Sequence, residues 1–337
     1  MTERNFREKV YEKCMEVVKT HKFPGEWSTF LRTNVLVTEI FNDNGPFPSA
    51  VTGLNLFRLK IVDEAKKQNI SIPELIVKIA KAGEPYSKWN TRAAFMKVML
   101  HFTKKANRHA QEIWIYSPPV AYWRWIFDLL NGTDSKVLMW LKKDEEVYSE
   151  FEKETMVDSV QMALAVSQKA ISLLGSPDER TLRIVEKWFI ESEKDLVQVK
   201  QVAATLLDGF KKISDICNSN KLIFSDDPFD RKSLIEYEEK FGSVYKRAEK
   251  NMYVMYIAGG YKKAVNIGEH WKCALTVLHE ASHIGVSTGD VRYDTRGLKP
   301  SIIFPAAQAI KNADSWAYFA MDLAGYLPAN TDSVVYF

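Results

Sequence analysis

The residues best suited to chemistry lie in the segment His279-Glu-Ala-Ser-His283, which ends an apolar run that begins near Trp271. This run predicts a helix. Two residues four apart on a helix differ by about 40° around its axis and by about 6 Å along it. The imidazoles of His279 and His283 can therefore reach one zinc ion from the same face. Glu280 points about a quarter turn away, where it is better placed to hold a metal-bound water than to ligate the metal.

A catalytic zinc needs a third protein ligand and one open position. The chain after His283 contains no His, Glu or Cys, which excludes zinc enzymes that close the site with a downstream glutamate or a third histidine. The carboxylates that remain are Asp290, Asp294, Asp314, Asp322 and Asp332. Gly285 and Gly289 would let the helix end and the chain turn back at once. We therefore favour Asp290 as the third ligand, with Asp294 as the alternative.

Two motifs in this half of the chain carry a family resemblance. The first is HEASH followed by Ser287-Thr-Gly-Asp-Val-Arg-Tyr-Asp294, which resembles the aspzincin zinc metallopeptidases, the group of deuterolysin and peptidyl-Lys metalloendopeptidase. Their pattern is HExxH followed by GTxDxxYG, and here two glycines are replaced by Ser287 and Asp294. The second is Asn312-Ala-Asp-Ser-Trp316, which resembles the NADSY-type helix of that family. The resemblance covers roughly residues 151–337.

The resemblance implies a zincin-like fold and a role for each motif residue. His279, His283 and Asp290 would hold Zn²⁺, and Glu280 would act as general base. Tyr293 would donate a hydrogen bond to the oxyanion that develops on the substrate. These roles agree with the chemistry of the residue types, because a phenol near the metal can stabilise charge that appears only in the transition state.

Asp314 has two interpretations. In lysine-specific members of the family, an acidic pair one turn apart in this helix grips the substrate lysine, and the resemblance makes Asp314 a substrate-binding residue. The position one turn later is Ala317 in this chain, so we expect a weaker or different preference for the residue after the cut. The alternative is that Asp314 caps a helix or accepts a hydrogen bond from a ligand histidine.

Composition limits the class of protein. A chain of 337 residues is long enough for about two domains. The 46 basic and 43 acidic residues leave a net charge of +3, so we expect no nucleic-acid partner. We also expect no membrane span, because no apolar run approaches about 18 residues. Three widely spaced cysteines, and a start with charges of both signs rather than a secretory signal, predict reduced thiols and synthesis in the cytoplasm.

The sequence pattern predicts a mainly α protein with a small β-sheet, an α+β class. Helices are expected from an N-cap at Ser71 and over residues 91–104, 178–189 and 194–217, from apolar spacing and turn residues. The best strand is Tyr253–Ile257, followed by a tight turn at Gly259-Gly260 and a short extended piece over residues 264–267. We predict a helical N-terminal domain over residues 1–150, with an adaptor, loading or regulatory role, and a peptidase domain over 151–337.

The predicted function is that of a zinc-dependent metalloendopeptidase acting on peptides or proteins. Free thiols and a fused N-terminal domain are typical of a bacterial toxin or effector exported by a specialised secretion system. Its partners would then include a secretion-machine component and an inhibitory immunity protein. One alternative is a zinc-stabilised interaction protein without turnover, which need not retain Glu280 and Tyr293. Another is a zinc amidase that acts on cell-wall peptides.

Overall fold

The computed structural model describes residues 10–20, 22–41, 50–106, 112–120, 132–191, 196–226, 234–245 and 252–328. The chain forms two compact units. The first comprises Met1–Lys153, Asn220–Lys240 and Arg247–Ala258, and the second comprises Glu154–Ser219, Phe241–Lys246 and Gly259–Phe337. The domain boundary expected near residue 150 stays a prediction. The first unit also takes in two strands that lie later in the sequence.

Helices dominate both units, and the predicted mainly α, α+β class is confirmed. The described helices are α1 Glu12–Thr20, α2 Gly25–Thr33, α3 Val37–Ile40, α4 Ala50–Gln68, α5 Ile72–Ala82, α6 Trp89–His101, α7 Asp134–Leu141, α8 Glu150–Gly175, α9 Glu179–Phe189, α10 Leu196–Cys217, α11 Leu234–Glu239, α12 Gly259–Asn266, α13 His270–Val286, α14 Ala306–Ala309 and α15 Ala313–Ala324. Among them, none combines the length and the apolar character needed to cross a membrane.

Four strands lie side by side in the first unit. They are β1 Phe102–Ala106, β2 Glu112–Tyr116, β3 Leu222–Ser225 and β5 Tyr253–Ile257, in the order β1-β2-β3-β5. The first pair is antiparallel, with Phe102 opposite Tyr116, and the other two pairs are parallel. All four residues of β3 are buried, as expected for a parallel strand covered on both faces. A two-residue strand, β4 Gly242–Ser243, belongs to the second unit.

A buried ionic cluster joins α6 to the segment before α8. Lys97 donates to the carbonyl oxygen of Leu141 at 2.8 Å. Glu146 pairs with Lys153, and one of its oxygens lies 3.4 Å from Nδ1 of His101. Burial alone would raise the pKa of Glu146, but its hydrogen bonds with His101 and Lys153 lower the pKa to about 2. The charged form of Glu146 therefore stabilises the folded state.

We expect acid to weaken the first unit through Glu146. Its carboxyl binds a proton near pH 4.3 in an unfolded chain but only near pH 2 in the folded protein, so its contribution is present above about pH 5 and is lost between pH 5 and 2. The contribution is roughly 1–2 kcal/mol after allowance for partial exposure. In urea unfolding, the free energy of unfolding should fall less between pH 7 and pH 4 for E146Q than for the unmodified protein. The exposed neighbour variant E145Q is the control, and equal pH dependence of the two variants would contradict this assignment.

The second unit packs its helices around aromatic side chains. Phe210 on α10 contacts the Trp316 ring of α15 at 5.3 Å between centroids, and Phe189 meets Phe319 at the same distance. A Cβ at Gly209 would lie 2.3 Å from the Trp316 ring, and a Cβ at Gly285 would lie 3.0 Å from the end of the Ile216 side chain. These two glycines therefore let α10 approach α15 and α13 closely. The packing fixes α13 and α15, which carry the two motifs.

Most local predictions are confirmed and three are wrong. Ser71 caps α5 with a complete capping box, Asp178 caps α9, and β5 has the predicted bounds. The helix expected to reach residue 104 ends at His101, because the chain from Phe102 pairs with β2. The piece expected to be extended over residues 264–267 lies mostly in α12, and the tight turn expected at residues 259–260 is the start of that helix. Tyr261, Ala264 and Val265 are buried there at the three- and four-residue spacing of a helix.

Candidate metal centre

Three of the predicted ligands come together at one point. Nε2 of His279 and Nε2 of His283 are 3.1 Å apart, and Oδ1 of Asp290 lies 3.0 Å from the first and 3.2 Å from the second. These three atoms form the one group in the described part of the chain with the composition and spacing of a metal site. Two nitrogens and a carboxylate oxygen are a donor set that zinc favours.

The other ring nitrogens of both histidines are held by acceptors. Nδ1 of His279 lies 2.7 Å from Oδ1 of Asp314, and Nδ1 of His283 lies 3.0 Å from the carbonyl oxygen of Thr288. A proton on each Nδ1 satisfies these contacts, and each Nε2 faces the shared point, where a bound cation would take the place of a proton. Histidines that bind metals are oriented in this way. Both rings are therefore held in the orientation that a bound cation requires.

The charges around this point favour a cation. Hydrogen bonds from His279 and His283 hold the pKa of Asp290 far below its usual range. Burial would lower the pKa of His279, but Asp290 and Asp314, with the nearby charge of Glu280, raise it well above its usual value. Carboxylates thus surround the imidazoles and stabilise positive charge between them. A divalent cation fits this environment, and the residues present fit zinc.

The chain returns to the histidines through a sharp turn after α13. The sequence predicts this turn at Gly285 and Gly289, and that prediction is wrong. The residue with left-handed backbone is Ser287, with φ 62° and ψ 37°, whereas Gly285 lies inside the helix and serves close packing. Gly289 then forms a parallel bridge with Asn312, donating to the carbonyl oxygen of Lys311 at 2.8 Å. This bridge directs the following residue, Asp290, towards the histidines.

Glu280 and Tyr293, the two predicted catalytic residues, differ in exposure. Glu280 is buried on α13, and its charge acts on both His279 and Tyr293. The Tyr293 side chain is 54% exposed on the loop after Asp290. Partial burial, with the charges of Asp290, Asp314 and Glu280, raises the pKa of the Tyr293 phenol. The phenol therefore keeps its proton at neutral pH and can donate it in a hydrogen bond to an incoming group.

The other downstream aspartates have different partners. Oδ2 of Asp294 accepts from the Tyr318 hydroxyl at 2.5 Å, and its Oδ1 accepts from the backbone N–H of Thr295. Asp322 accepts from Lys187 at 2.9 Å and from the Trp188 indole at 2.8 Å. Asp332 lies outside the described residues. Neither Asp294 nor Asp322 joins the group formed by the histidines and Asp290.

Asp314 lies behind the metal centre, where its two oxygens are both engaged. Oδ1 contacts Nδ1 of His279, and Oδ2 accepts from the backbone N–H of Asp294 at 3.0 Å. Asp314 is 7% exposed, and Ala317 one turn later is fully buried. This geometry favours the acceptor role for a ligand histidine over the predicted contact with substrate.

Removing the Asp314 carboxylate should weaken metal binding without removing a ligand. Loss of the acceptor behind a ligand histidine typically reduces metal affinity by about 10–100-fold. We expect this loss for D314A in competition with a zinc chelator. D322A is the matched control, since Asp322 lies on the same helix and pairs elsewhere. Equal affinities of the two variants would refute this role for Asp314.

Two side chains that position the site are not predicted by the sequence pattern. The side-chain oxygen of Asn312 accepts from the backbone N–H groups of Val291 and Arg292. Tyr318 was not considered, although it holds Asp294. Tyr318 lies four residues after Asp314, and this spacing was a usable signal because residues four apart share a helix face.

A comparison with known families agrees with the motifs. Residues 176–321 match the model of the Aspzincin family, described as lysine-specific metallo-endopeptidase. The resemblance is thereby confirmed for the C-terminal half, where the chain is similar to a family of metallopeptidases. No curated protein sequence gives a significant match to the chain.

Proposed function

We propose that the second unit is a zinc-dependent endopeptidase that hydrolyses peptide bonds in peptides or proteins. His279, His283 and Asp290 would hold the zinc ion, and Glu280 and Tyr293 would be its catalytic residues. The observation that carries the proposal is the convergence of two Nε2 atoms and one carboxylate oxygen within 3.2 Å of one another. The family match supports the same assignment.

The reaction is the attack of water on the scissile carbonyl carbon. Zinc at this site would lower the pKa of a bound water to about 7 and polarise the carbonyl group. Glu280 accepts the proton of the attacking water and passes it to the leaving amine. A C–O bond forms and the C–N bond breaks, and no covalent link to the enzyme is made.

Tyr293 acts on the oxygen of the reacting carbonyl group. Its hydroxyl keeps its proton at neutral pH, because the ordinary pKa of a tyrosine is about 10 and burial and three nearby carboxylates raise it further. The phenol can therefore donate to the oxygen that becomes negative in the tetrahedral transition state, a contact that accelerates the reaction. Its 54% exposure leaves it accessible to a substrate.

We propose that cleavage is not restricted to lysine, although the matched family is described as lysine-specific. Recognition of a lysine ammonium group requires an available carboxylate. Asp314 uses one oxygen for His279 and the other for the backbone of Asp294. Asp294 in turn accepts from Tyr318 and Thr295. The position one turn after Asp314 is the buried Ala317, which has no charge to offer.

Mass spectrometry of products tests both parts of this proposal. The zinc-loaded full chain is incubated with casein, with a peptide library and with cell-wall fragments. We expect cuts in casein and in library peptides, with residues other than lysine accepted after the cut. Cleavage of cell-wall fragments alone would favour a zinc amidase. An absence of cleavage by protein with full zinc content would favour the non-catalytic interaction protein.

We further propose that the protein is a bacterial effector or toxin made in the cytoplasm and exported by a specialised secretion system. Cys14, Cys217 and Cys273 are free and buried, which supports folding in a reducing compartment. Burial raises the pKa of Cys217 to about 12, so this thiol is unreactive. A neighbouring gene for a small protein that blocks the peptidase would support this role. A setting among metabolic genes would count against it.

A further inference from the structure

We infer that Asn312 is a positioning residue whose side-chain carbonyl holds the loop that carries Asp290, and thereby sets the affinity for the metal. The inference rests on the proposed function, because it takes Asp290 as a metal ligand. Asn312 itself touches neither metal nor substrate. It acts through the backbone of the two residues that follow the ligand.

The Asn312 amide is fully buried, and both its oxygen and its nitrogen form hydrogen bonds. Its Oδ1 accepts from the backbone N–H of Val291 at 3.0 Å and from that of Arg292 at 2.9 Å. Its Nδ2 donates to Oγ of Ser315 at 3.0 Å. One buried oxygen thus satisfies two successive backbone donors, which would otherwise be costly to leave unpaired.

The position of Asn312 in its own helix makes this use unusual. Asn312 is the N-cap of α15, where an asparagine side chain normally accepts from the backbone of its own first turn. No such capping bond is formed here. The side-chain carbonyl instead accepts from the loop that follows Asp290. It therefore stabilises this loop and not the first turn of its own helix.

The loop needs this restraint because apolar packing holds little of it. Asp290, Val291 and Tyr293 are each more than two-fifths exposed. Hydrogen bonds hold the chain on both sides of the ligand instead. Before Asp290, Gly289 donates to the carbonyl oxygen of Lys311 and accepts from Ala313. After Asp290, the two bonds to Asn312 fix the chain.

The same short segment therefore supports two ligands. Residues 311–313 hold the backbone around Asp290, and Asp314 directly after them orients the His279 ring at 2.7 Å. The start of α15 thus fixes the position of Asp290 relative to His279. Removing the hydrogen bonds of Asn312 to the loop should let Asp290 move away from the histidines.

Zinc affinity of three variants tests the inference. N312S is the main variant, because serine caps a helix as well as asparagine but is too short to reach the loop. N312D replaces the amide with a carboxylate of the same length, and one of its oxygens can still accept from both backbone N–H groups. S315A is the matched control, since it removes only the partner of Nδ2. Affinity is measured by chelator competition, and the geometry of the site by the visible spectrum of the cobalt-substituted protein.

We expect N312S to bind zinc about 10–100-fold more weakly than the unmodified chain, with an altered cobalt spectrum. N312D should restore most of the affinity, and S315A should stay within about threefold. Thermal unfolding without metal should remain a single cooperative transition in all variants, which separates positioning from loss of folding. Wild-type affinity in N312S, or equal defects in N312S and N312D, would overturn the inference alone. If the unmodified chain binds no zinc, the proposed function fails together with it.

Discussion

The E280Q variant should bind zinc like the unmodified protein but hydrolyse peptides about 10²–10⁴-fold more slowly. Glutamine keeps the size and burial of Glu280 but cannot take a proton from water. The ligands His279, His283 and Asp290 are untouched, so the metal content should remain at one ion per chain. Steady-state cleavage of a fluorogenic peptide and zinc analysis of the same sample give the two readings.

The matched control for this prediction is E269Q. Glu269 precedes α13 and pairs with Lys272 at 2.6 Å, so its neutralisation leaves the centre of the helix unchanged. We expect near-normal hydrolysis from this variant. An E280Q enzyme that retains more than a tenth of wild-type activity would rule out Glu280 as the general base.

Substitution of the third ligand should have the other large effect. Zinc affinity of D290N should fall by more than about 100-fold, since loss of a direct ligand costs more than loss of its supporting hydrogen bond. Hydrolysis should fall with it and should recover partly at high zinc concentration. Isothermal titration of the metal-free protein measures the affinity directly.

D294N is the comparison variant for this prediction, because Asp294 was the alternative ligand in the sequence. Asp294 accepts hydrogen bonds from the Tyr318 hydroxyl and from the backbone N–H of Thr295, so D294N should keep most of the zinc affinity. The reverse order, with D294N losing more affinity than D290N, would show that the third ligand has been misassigned.

Local spacing explains why the two histidines and the acid between them could be predicted. His279 and His283 lie on one helix, and their separation follows from helix geometry alone. Asp290 was favoured for a sound reason, a rapid chain reversal after the helix, although the residue that makes the reversal is Ser287. Asparagine, aspartate and glycine are the usual residues with left-handed backbone, so a serine there gives no signal.

The contacts that fix Asp290 and His279 depend on residues more than twenty positions away. Asn312 reaches Val291, and Asp314 reaches His279, because α15 packs beside α13. No local pattern encodes that pairing. The family resemblance supplied the motif around Asn312 and Asp314, but the direction of each side chain came only from the fold.

The same distinction separates correct from incorrect element predictions. The capping box at Ser71 and the N-cap of α9 at Asp178 are local signals, and these helices begin as predicted. The end of α6 is decided by pairing of Phe102 with Tyr116, a contact between two strands. Helix propensity alone cannot foresee such a pairing, because tertiary contacts override it.

A crystal structure of the zinc-loaded protein, with anomalous data at the zinc edge, tests the central claim most directly. We predict one strong peak bonded to Nε2 of His279, Nε2 of His283 and a carboxylate oxygen of Asp290, at about 2.0–2.2 Å. A peak that lacks Asp290, or zinc bound only elsewhere in the chain, would contradict this account.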